Sequence, residues 1–476
     1  MNANLVSEVR SAFEEAGQGH VFNFWDRLSQ EERKHLLKQA CQIDLTRLKD
    51  ASREALGQAG SVNDSDADLE PAPWIPLPSG VDSTRLWEEA EGIGEELLNA
   101  GKIAAFTVAG GQGTRLGFNG PKGAFPITPV SQKSLFQLFA EKIKAAQMRF
   151  EKPIMWFIMT SEINDEATKK FFIGNDNFGL SSSKIRFLRQ GMMPAIRPTG
   201  EIILERPDRI SMNPDGHGGF FRAVVDNGVA EEMRNAGIET ISYFQVDNPL
   251  APFLEPAFLG FHSMSGSEMS SRAAHKKGPD EKVGVFCKRN GNLSVIEYSD
   301  LPDNLARLRS EDGDLVFNAG NLAMHAIDLA FVERIGKNKG IYKLPYHSAK
   351  KKVPTVDAQG CKVTPKKPNG IKLETFVFDA IPLAKAPCIV EVCRADAFSP
   401  VKNAEGDDSI ATCRSDQLRK YARWVKEAGG ELPIDETGEP NISFEITPQF
   451  ADSQDEFTRR WRDKSNLCIE DGLILD

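Results

Sequence analysis

Long apolar runs are missing from this chain of 476 residues. No segment approaches the ~20 consecutive apolar residues of a membrane span, and Ile154–Met159 is typical of the short runs present. The opening MNANLVSEVRSAFEE has acidic residues and no apolar h-region, so a secretory signal is not expected and a cytoplasmic location is. Cysteine is sparse too: Cys41, Cys287, Cys361, Cys388, Cys393, Cys413 and Cys468 are scattered, odd in number and without C-x-x-C spacing. That pattern argues against a disulfide framework or a zinc site and for free thiols. Basic charge falls short of acidic, leaving a formal net of −10, which disfavours nonspecific nucleic-acid binding but permits a local basic pocket. The seven histidines form no compelling Ser/His/Asp or Cys/His arrangement, in keeping with a chemistry that needs no protein nucleophile.

What is present is an ordinary globular composition, 40% hydrophobic and 26% charged, long enough for two or three domains. The most informative stretch is Val108–Lys122, VAGGQGTRLGFNGPK. The apolar Ile103–Val108 (IAAFTV) reads as a short buried strand, and Gly110, Gly111 and Gly113 let the backbone turn tightly behind it and bring N–H groups close to an anion. Arg115 and Lys122 add positive charge, the means by which a transferring phosphoryl or nucleotidyl group is stabilised. Three residues separate Gly113 from Gly117, so the loop is not the G-x-G-x-x-G dinucleotide fingerprint, and the G-x-x-x-x-G-K-[ST] pattern is absent as well. It reads as a phosphate grip of another kind.

The segment from Leu5 to about Leu56 has helical periodicity and no visible catalytic chemistry. Gly57–Gly80, rich in Ser, Asp, Gly and Pro, reads as a surface connection pinned by Trp74 and Trp87. After a helix near Leu86–Ala100, strand-like and helix-like runs alternate: Ile103–Val108, Ser134–Ala146, Ile154–Thr160, Ala167–Ile173, Ile185–Arg189 and Ile238–Val246. Such alternation predicts an α/β fold, a Rossmann-like, mainly parallel sheet covered by helices. Ser134-Leu-Phe-Gln137 has capping-box spacing. Ligands of open sheets bind outside the carboxyl ends of the strands, so the glycine loop and Asp247, which ends the Ile241–Val246 run, are expected to meet at one edge. The division expected is a helical N-terminal part and linker over 1–100, a central domain over 101–385 and a smaller C-terminal domain over 386–476.

GGxGTRLG…PK resembles the signature of the sugar nucleotidyltransferases. The segments QGMMPAI (Gln190–Ile196), ISMNPDGHGGFFRAV (Ile210–Val224), FQVDNPL (Phe244–Leu250), FNAGNLAMH (Phe317–His325), NGIKLETFVFD (Asn369–Asp379) and FSPVKNAEG (Phe398–Gly406) narrow the match. Their order and spacing are similar to those of the eukaryotic-type UDP-N-acetylhexosamine pyrophosphorylases, and AGQGHVFNFWDRL (Ala16–Leu28) looks like that family's N-terminal segment. The resemblance implies the nucleotide-diphospho-sugar transferase fold and a reaction of UTP with an N-acetylhexosamine 1-phosphate, giving the UDP-sugar and pyrophosphate. Neither nucleic acid nor membrane is expected as a partner, and a monomer or weak homo-oligomer is expected.

Residue by residue, the resemblance places Gly110, Gly111, Gly113 and Thr114 on the nucleotide, with Arg115 and Lys122 neutralising the departing pyrophosphate. Gln190, Met212, Pro214, Asp215 and Gly216 match positions around the uridine, although Met212 taken alone reads as ordinary core. Gly284, Glu297 and Asn321 match sugar-contacting positions, while Lys372 and Lys402 match lysines that approach phosphates. An Asp before Asn is often a turn former; in FQVDN the resemblance favours Asp247 as a ligand of Mg²⁺, which takes one carboxylate beside phosphate oxygens and water. Lys350–Lys352 reads as a solvated run. His217 stands in PDGHGG where the N-acetylhexosamine enzymes usually have Asn, and GHG looks like the UDP-glucose pyrophosphorylases. Glucose 1-phosphate, or several sugars, thus remains an alternative substrate, and a noncatalytic nucleotide-sugar sensor a less favoured one.

Overall fold

The computed structural model describes residues 3–58, 68–337, 340–462 and 468–476. The chain divides into two compact units, neither contiguous in sequence. The larger comprises 67–189, 223–337 and 381–476, and the smaller comprises 1–66, 190–222 and 338–380. This division by contacts does not follow the linear one at 100 and 385. The chain leaves the large unit after 189 and again after 337, returning at 223 and at 381, a long-range path that no local composition shift records.

The large unit is built on a ten-stranded sheet. Its strands are β1 (Leu69–Pro71), β2 (Ile103–Val108), β3 (Trp156–Thr160), β4 (Ile185–Arg189), β5 (Thr240–Gln245), β6 (Met269–His275), β7 (Val285–Arg289), β8 (Asn292–Ile296), β9 (Ala319–Asp328) and β10 (Cys388–Glu391). The order runs β1-β7-β9-β5-β2-β3-β4, with β6 beside β9 and β10, and β8 beside β7. The block β5-β2-β3-β4 is parallel throughout. From β9 outward the pairings turn antiparallel, apart from β6 with β10. β2 and β3 are buried almost end to end, which explains their continuous apolar runs: a strand covered on both faces needs no alternation.

Helix Leu135–Phe150 covers this block, burying Leu135, Leu138, Phe139 and Ile143. Ser134 Oγ accepts from Gln137 N at 3.1 Å. The return half of the expected capping box is not made, because Gln137 Nε2 instead donates to Glu141 Oε1. Helices Val81–Asn99 and Pro256–Met264 cross at glycine: a Cβ on Gly260 would lie 1.7 Å from the Ala90 carbonyl oxygen, and one on Gly94 1.8 Å from that of Pro256.

The segment read as a plain connection holds more order than expected. Although 59–67 lie outside the described residues, β1 pairs with β7, and Ile75 bridges Val390. Trp74 packs edge-on against His275, and Trp87 Nε1 donates to the Pro76 carbonyl. Residues 386–476 belong to the large unit but carry an apolar cluster of their own, with Tyr421, Trp424, Phe444, Phe457 and Leu475. All seven cysteines are free, and no helix among the described residues is long and apolar enough to cross a membrane.

Lys420, on helix Ile410–Glu427, is buried and donates to the Asp396 carbonyl at 3.1 Å. Burial, helped by Lys142, pulls its ammonium down to about 8 from the ordinary 10.5. The folded state therefore sheds this proton before the unfolded chain does, so the cost of the buried charge is full below pH 8 and fades towards pH 10.5. In urea unfolding, the native protein is expected to gain stability relative to Lys420→Met between about pH 7 and pH 10. A gap that stays constant over that window would show that the ammonium is not the costly group.

The smaller unit joins helices Ala3–Glu15, Gln30–Cys41 and Leu45–Gln58 to short hairpins from 192–214 and 347–374. Phe13, Trp25, Leu36 and Leu48 share one core with Ile196, Ile210, Ile371 and Leu373. Ser29 and Glu32 complete a capping box at the second helix. Lys350–Lys352 is exposed, as its composition predicts.

Candidate active site

β2 delivers the glycine loop at its carboxyl end. The loop folds back on itself: Gly113 N donates to Gly120 O, Lys122 N to Gly111 O and Phe118 N to Gly113 O, at 2.9, 3.1 and 3.1 Å. Gly117 closes the turn Thr114–Leu116 at a φ of 70°, a conformation that strains any residue with a Cβ. Side chains hold three carbonyls here. Ser161 Oγ donates to Gly110 O at 2.8 Å, and Asn164 Nδ2 donates to Ala109 O at 2.7 Å and Gly111 O at 3.1 Å. Ser161 and Asn164 follow β3, and nothing in TSEIND marked them except their place after a buried strand.

β5 brings Asp247 to the same edge, where Val246 N donates to Val108 O. Lys122 Nζ lies 3.4 Å from Asp247 Oδ2, both side chains about 15% exposed. Gly110 is partly buried, whereas Gly111, Thr114 and Arg115 are exposed. Asp247 also anchors Phe398–Gly406: Val401 N donates to its carbonyl at 2.8 Å. Its neighbour Asn248 holds the same segment, donating to Ala397 O and accepting from Ser399 N. Lys402 is thereby carried close to Asp247 in the fold, although its Nζ pairs with Asp408 at 3.3 Å. It borders a cleft of about 590 Å³ whose lining mixes bases, Lys277, Lys282 and Arg394, with acids that include Glu281, Asp408 and Asp416.

The three residues matched to sugar positions form a second cluster in this unit. Asn321 N donates to Gly284 O at 2.8 Å, and a Cβ on Gly284 would meet Glu297 Oε1 at 3.4 Å. The ladder between β6 and β9 shifts register beside Asn321, where Ala323 takes a φ of 54° and donates its N–H to Asn321 Oδ1. A non-glycine residue held in that conformation costs roughly 1–3 kcal/mol and is concentrated at functional sites.

The remaining residues lie in the smaller unit. Met192–Pro194 pairs with Met212–Pro214, which puts Met212 opposite Pro194 and packs it against that unit's core. Gln190 is buried. Gly216, at a φ of 86°, has no room for a Cβ, which would come 2.4 Å from the Thr375 carbonyl. His217 stacks on Phe376 and accepts from Val377 N through Nδ1, so the proton of its neutral form sits on Nε2. Lys372 is partly buried on Gly370–Glu374, opposite Ala349.

A glycine loop at the end of a parallel strand, facing a lysine and a strand-end carboxylate, defines a nucleotidyltransferase of the nucleotide-diphospho-sugar type. The family described as UTP–glucose-1-phosphate uridylyltransferase matches residues 65–429. Human UDP-N-acetylhexosamine pyrophosphorylase-like protein 1 is 36% identical over 470 residues, covering 93% of this chain and 92% of that one. The UDP-N-acetylglucosamine pyrophosphorylase of Saccharomyces cerevisiae is 36% identical over 484 residues, covering 98% and 100%. A crystal structure of the Trypanosoma brucei uridine diphosphate N-acetylglucosamine pyrophosphorylase, in complex with inhibitor, aligns with a TM-score of 0.85 at 27% identity, covering 100% of this chain and 99% of that one. The chain belongs to the UDP-sugar pyrophosphorylase family of nucleotidyltransferases, among the UDP-N-acetylhexosamine pyrophosphorylases.

Proposed function

We propose that the protein is a cytoplasmic uridylyltransferase that makes UDP-N-acetylglucosamine and pyrophosphate from UTP and N-acetylglucosamine 1-phosphate, as a monomer or weak homo-oligomer. The observation that carries this reading is the approach of Lys122 Nζ to Asp247 Oδ2 beside a glycine loop whose carbonyls are already bonded. In this reading an oxygen of the sugar phosphate attacks the α-phosphorus of UTP and pyrophosphate leaves, so alignment and charge neutralisation are the enzyme's work. Backbone groups of Gly110–Thr114, apart from the Gly113 N–H that Gly120 O already holds, receive the nucleotide, Arg115 and Lys122 neutralise the leaving pyrophosphate, and Lys402 holds the sugar phosphate. Gln190, Met212, Pro214 and Gly216 form the uridine side, Lys372 approaches a phosphate, and Gly284, Glu297 and Asn321 meet the sugar.

Among the described residues no three His, Cys, Asp or Glu side chains gather into a metal cage. A lone strand-end carboxylate fits Mg²⁺, which completes its shell with phosphate oxygens and water. Asp247 would hold it, and the ion would supply positive charge to the phosphates.

Pyrophosphate release from UTP across a panel of sugar 1-phosphates tests the reading, and a kcat/KM higher for glucose 1-phosphate than for N-acetylglucosamine 1-phosphate overturns the choice of sugar. Failure with every sugar would favour a nucleotide-sugar sensor. His217 is held on Phe376 and Val377, so His217→Asn is expected to change the ratio of kcat/KM for the two sugars by no more than about threefold. A shift of about tenfold or more, some 1.4 kcal/mol, would show that the imidazole reads the sugar.

A further inference from the structure

The helix Leu45–Gln58 turns Arg47 towards the interior of the smaller unit. Arg47 Nη2 lies 3.2 Å from Asp215 Oδ2, the two side chains 13% and 0% exposed. Its Nε donates to Tyr346 Oη, and its guanidinium lies over the Tyr346 ring at 5.6 Å. The Asp215 carboxylate occupies a slot that only glycine walls leave open. A Cβ on Gly191 would stand 2.3 Å from Oδ2, and one on Gly219 would stand 2.1 Å from Oδ1. Asp215 N also donates to Gly191 O, and the Asp215 carbonyl accepts from Thr375 N. One carboxylate thus sits where the Gln190–Gly191 turn, the PDGHGG loop and Thr375 converge.

The arrangement is a costly way to fill space. Burial pushes the Asp215 carboxyl above the ordinary range, opposed by Arg47 and, more weakly, by Arg222. Oδ1 has no hydrogen-bond partner among the described residues. Apolar residues of the same volume would serve stability as well or better, whereas an ion pair with fixed donors sets the position of a loop.

We propose that Arg47 is a positioning residue for nucleotide binding: through Asp215 it fixes the loops that bear Gln190 and Gly216–His217, without itself touching the nucleotide. The proposal rests on the assignment of those loops to the uridine side, and it gives the N-terminal helices a role in substrate affinity.

The test uses the full chain and separates the two substrates. Arg47→Ala is expected to raise the KM for UTP about tenfold or more, while the KM for the sugar 1-phosphate at saturating UTP stays within about twofold. Arg47→Lys, which keeps the charge and loses the fork, should recover part of the UTP affinity. Asp215→Asn should harm UTP binding less in an Arg47→Met background than in the native one, the signature of a coupled pair. If Arg47→Ala fails to fold, Arg47→Lys with a native melting curve carries the test, with an expected rise in the UTP KM of about threefold. An unchanged UTP KM in folded variants, or a fall in kcat alone that tracks lost folded protein, overturns the proposal. Calorimetry of the unmutated protein with UTP keeps the two readings apart. No binding there would sink the assigned function, whereas equal binding by native and variant protein would sink only the role of Arg47.

Discussion

Asp247→Asn is expected to lower turnover by about a hundredfold or more while leaving the fold intact. Asparagine keeps the shape of the side chain and the backbone carbonyl that anchors Val401, and since the pair it breaks with Lys122 is largely buried, a loss of stability is expected beside the loss of turnover, too small to unfold the chain. What it removes is the negative charge opposite Lys122, the charge assigned to hold Mg²⁺ against the phosphates. Lys122→Ala and Arg115→Ala should each cost a similar factor, the scale of one lost transition-state charge contact, roughly 3 kcal/mol. Pyrophosphate release at saturating UTP, sugar phosphate and Mg²⁺, read beside a thermal melt, checks all three. Near-native turnover in any of them would show that its assigned role is wrong.

The second large effect concerns stability and has a built-in contrast. Gly260→Ala puts a Cβ 1.7 Å from the Ala90 carbonyl oxygen, and Gly94→Ala puts one 1.8 Å from that of Pro256. Both obstacles are backbone of a crossing helix, so relief requires the helices to part, and each substitution is expected to cost about 3 kcal/mol or more. Two positions before Gly94, Gly92 is exposed and a Cβ there would meet nothing within 4 Å. Gly92→Ala should therefore stabilise by roughly 0.5–1 kcal/mol, because alanine is the better helix former. Chemical unfolding of the three variants decides the matter. Equal midpoints would mean that the two helices do not meet at their glycines.

The comparison of sequence with structure is uneven for physical reasons. Ile103–Val108 was legible to the residue, since a buried parallel strand is a short apolar run closed by turn residues, and so was the edge strand Ile185–Arg189, although only its Ile185 and Leu188 are buried. Leu69–Pro71 was not, because its pairing depends on β7, more than 200 positions away, and not on its own side chains. The same contrast holds at the site. Lys122 and Asp247 stand in motifs and meet as expected, whereas Ser161 and Asn164 act on carbonyls whose direction no motif states. The resemblance singled out Asn321, but the irregular backbone beside it was not legible, since Ala323 gives no sign of a positive φ. Arg47 lay in a helical stretch without visible chemistry, and only the partner 168 positions away makes it interesting.

That discontinuity also has a consequence during synthesis. Arg47 and its neighbours on the first helices emerge from the ribosome 299 positions ahead of Tyr346. At ordinary elongation rates of 5–20 residues per second the wait is roughly 15–60 s. Through that interval Phe13, Leu36 and Leu48 have no Ile371 or Leu373 to pack against. The nascent amino-terminal helices thus carry an incompletely covered apolar face through that interval, and a ribosome stalled before residue 346 would leave it open to a chaperone.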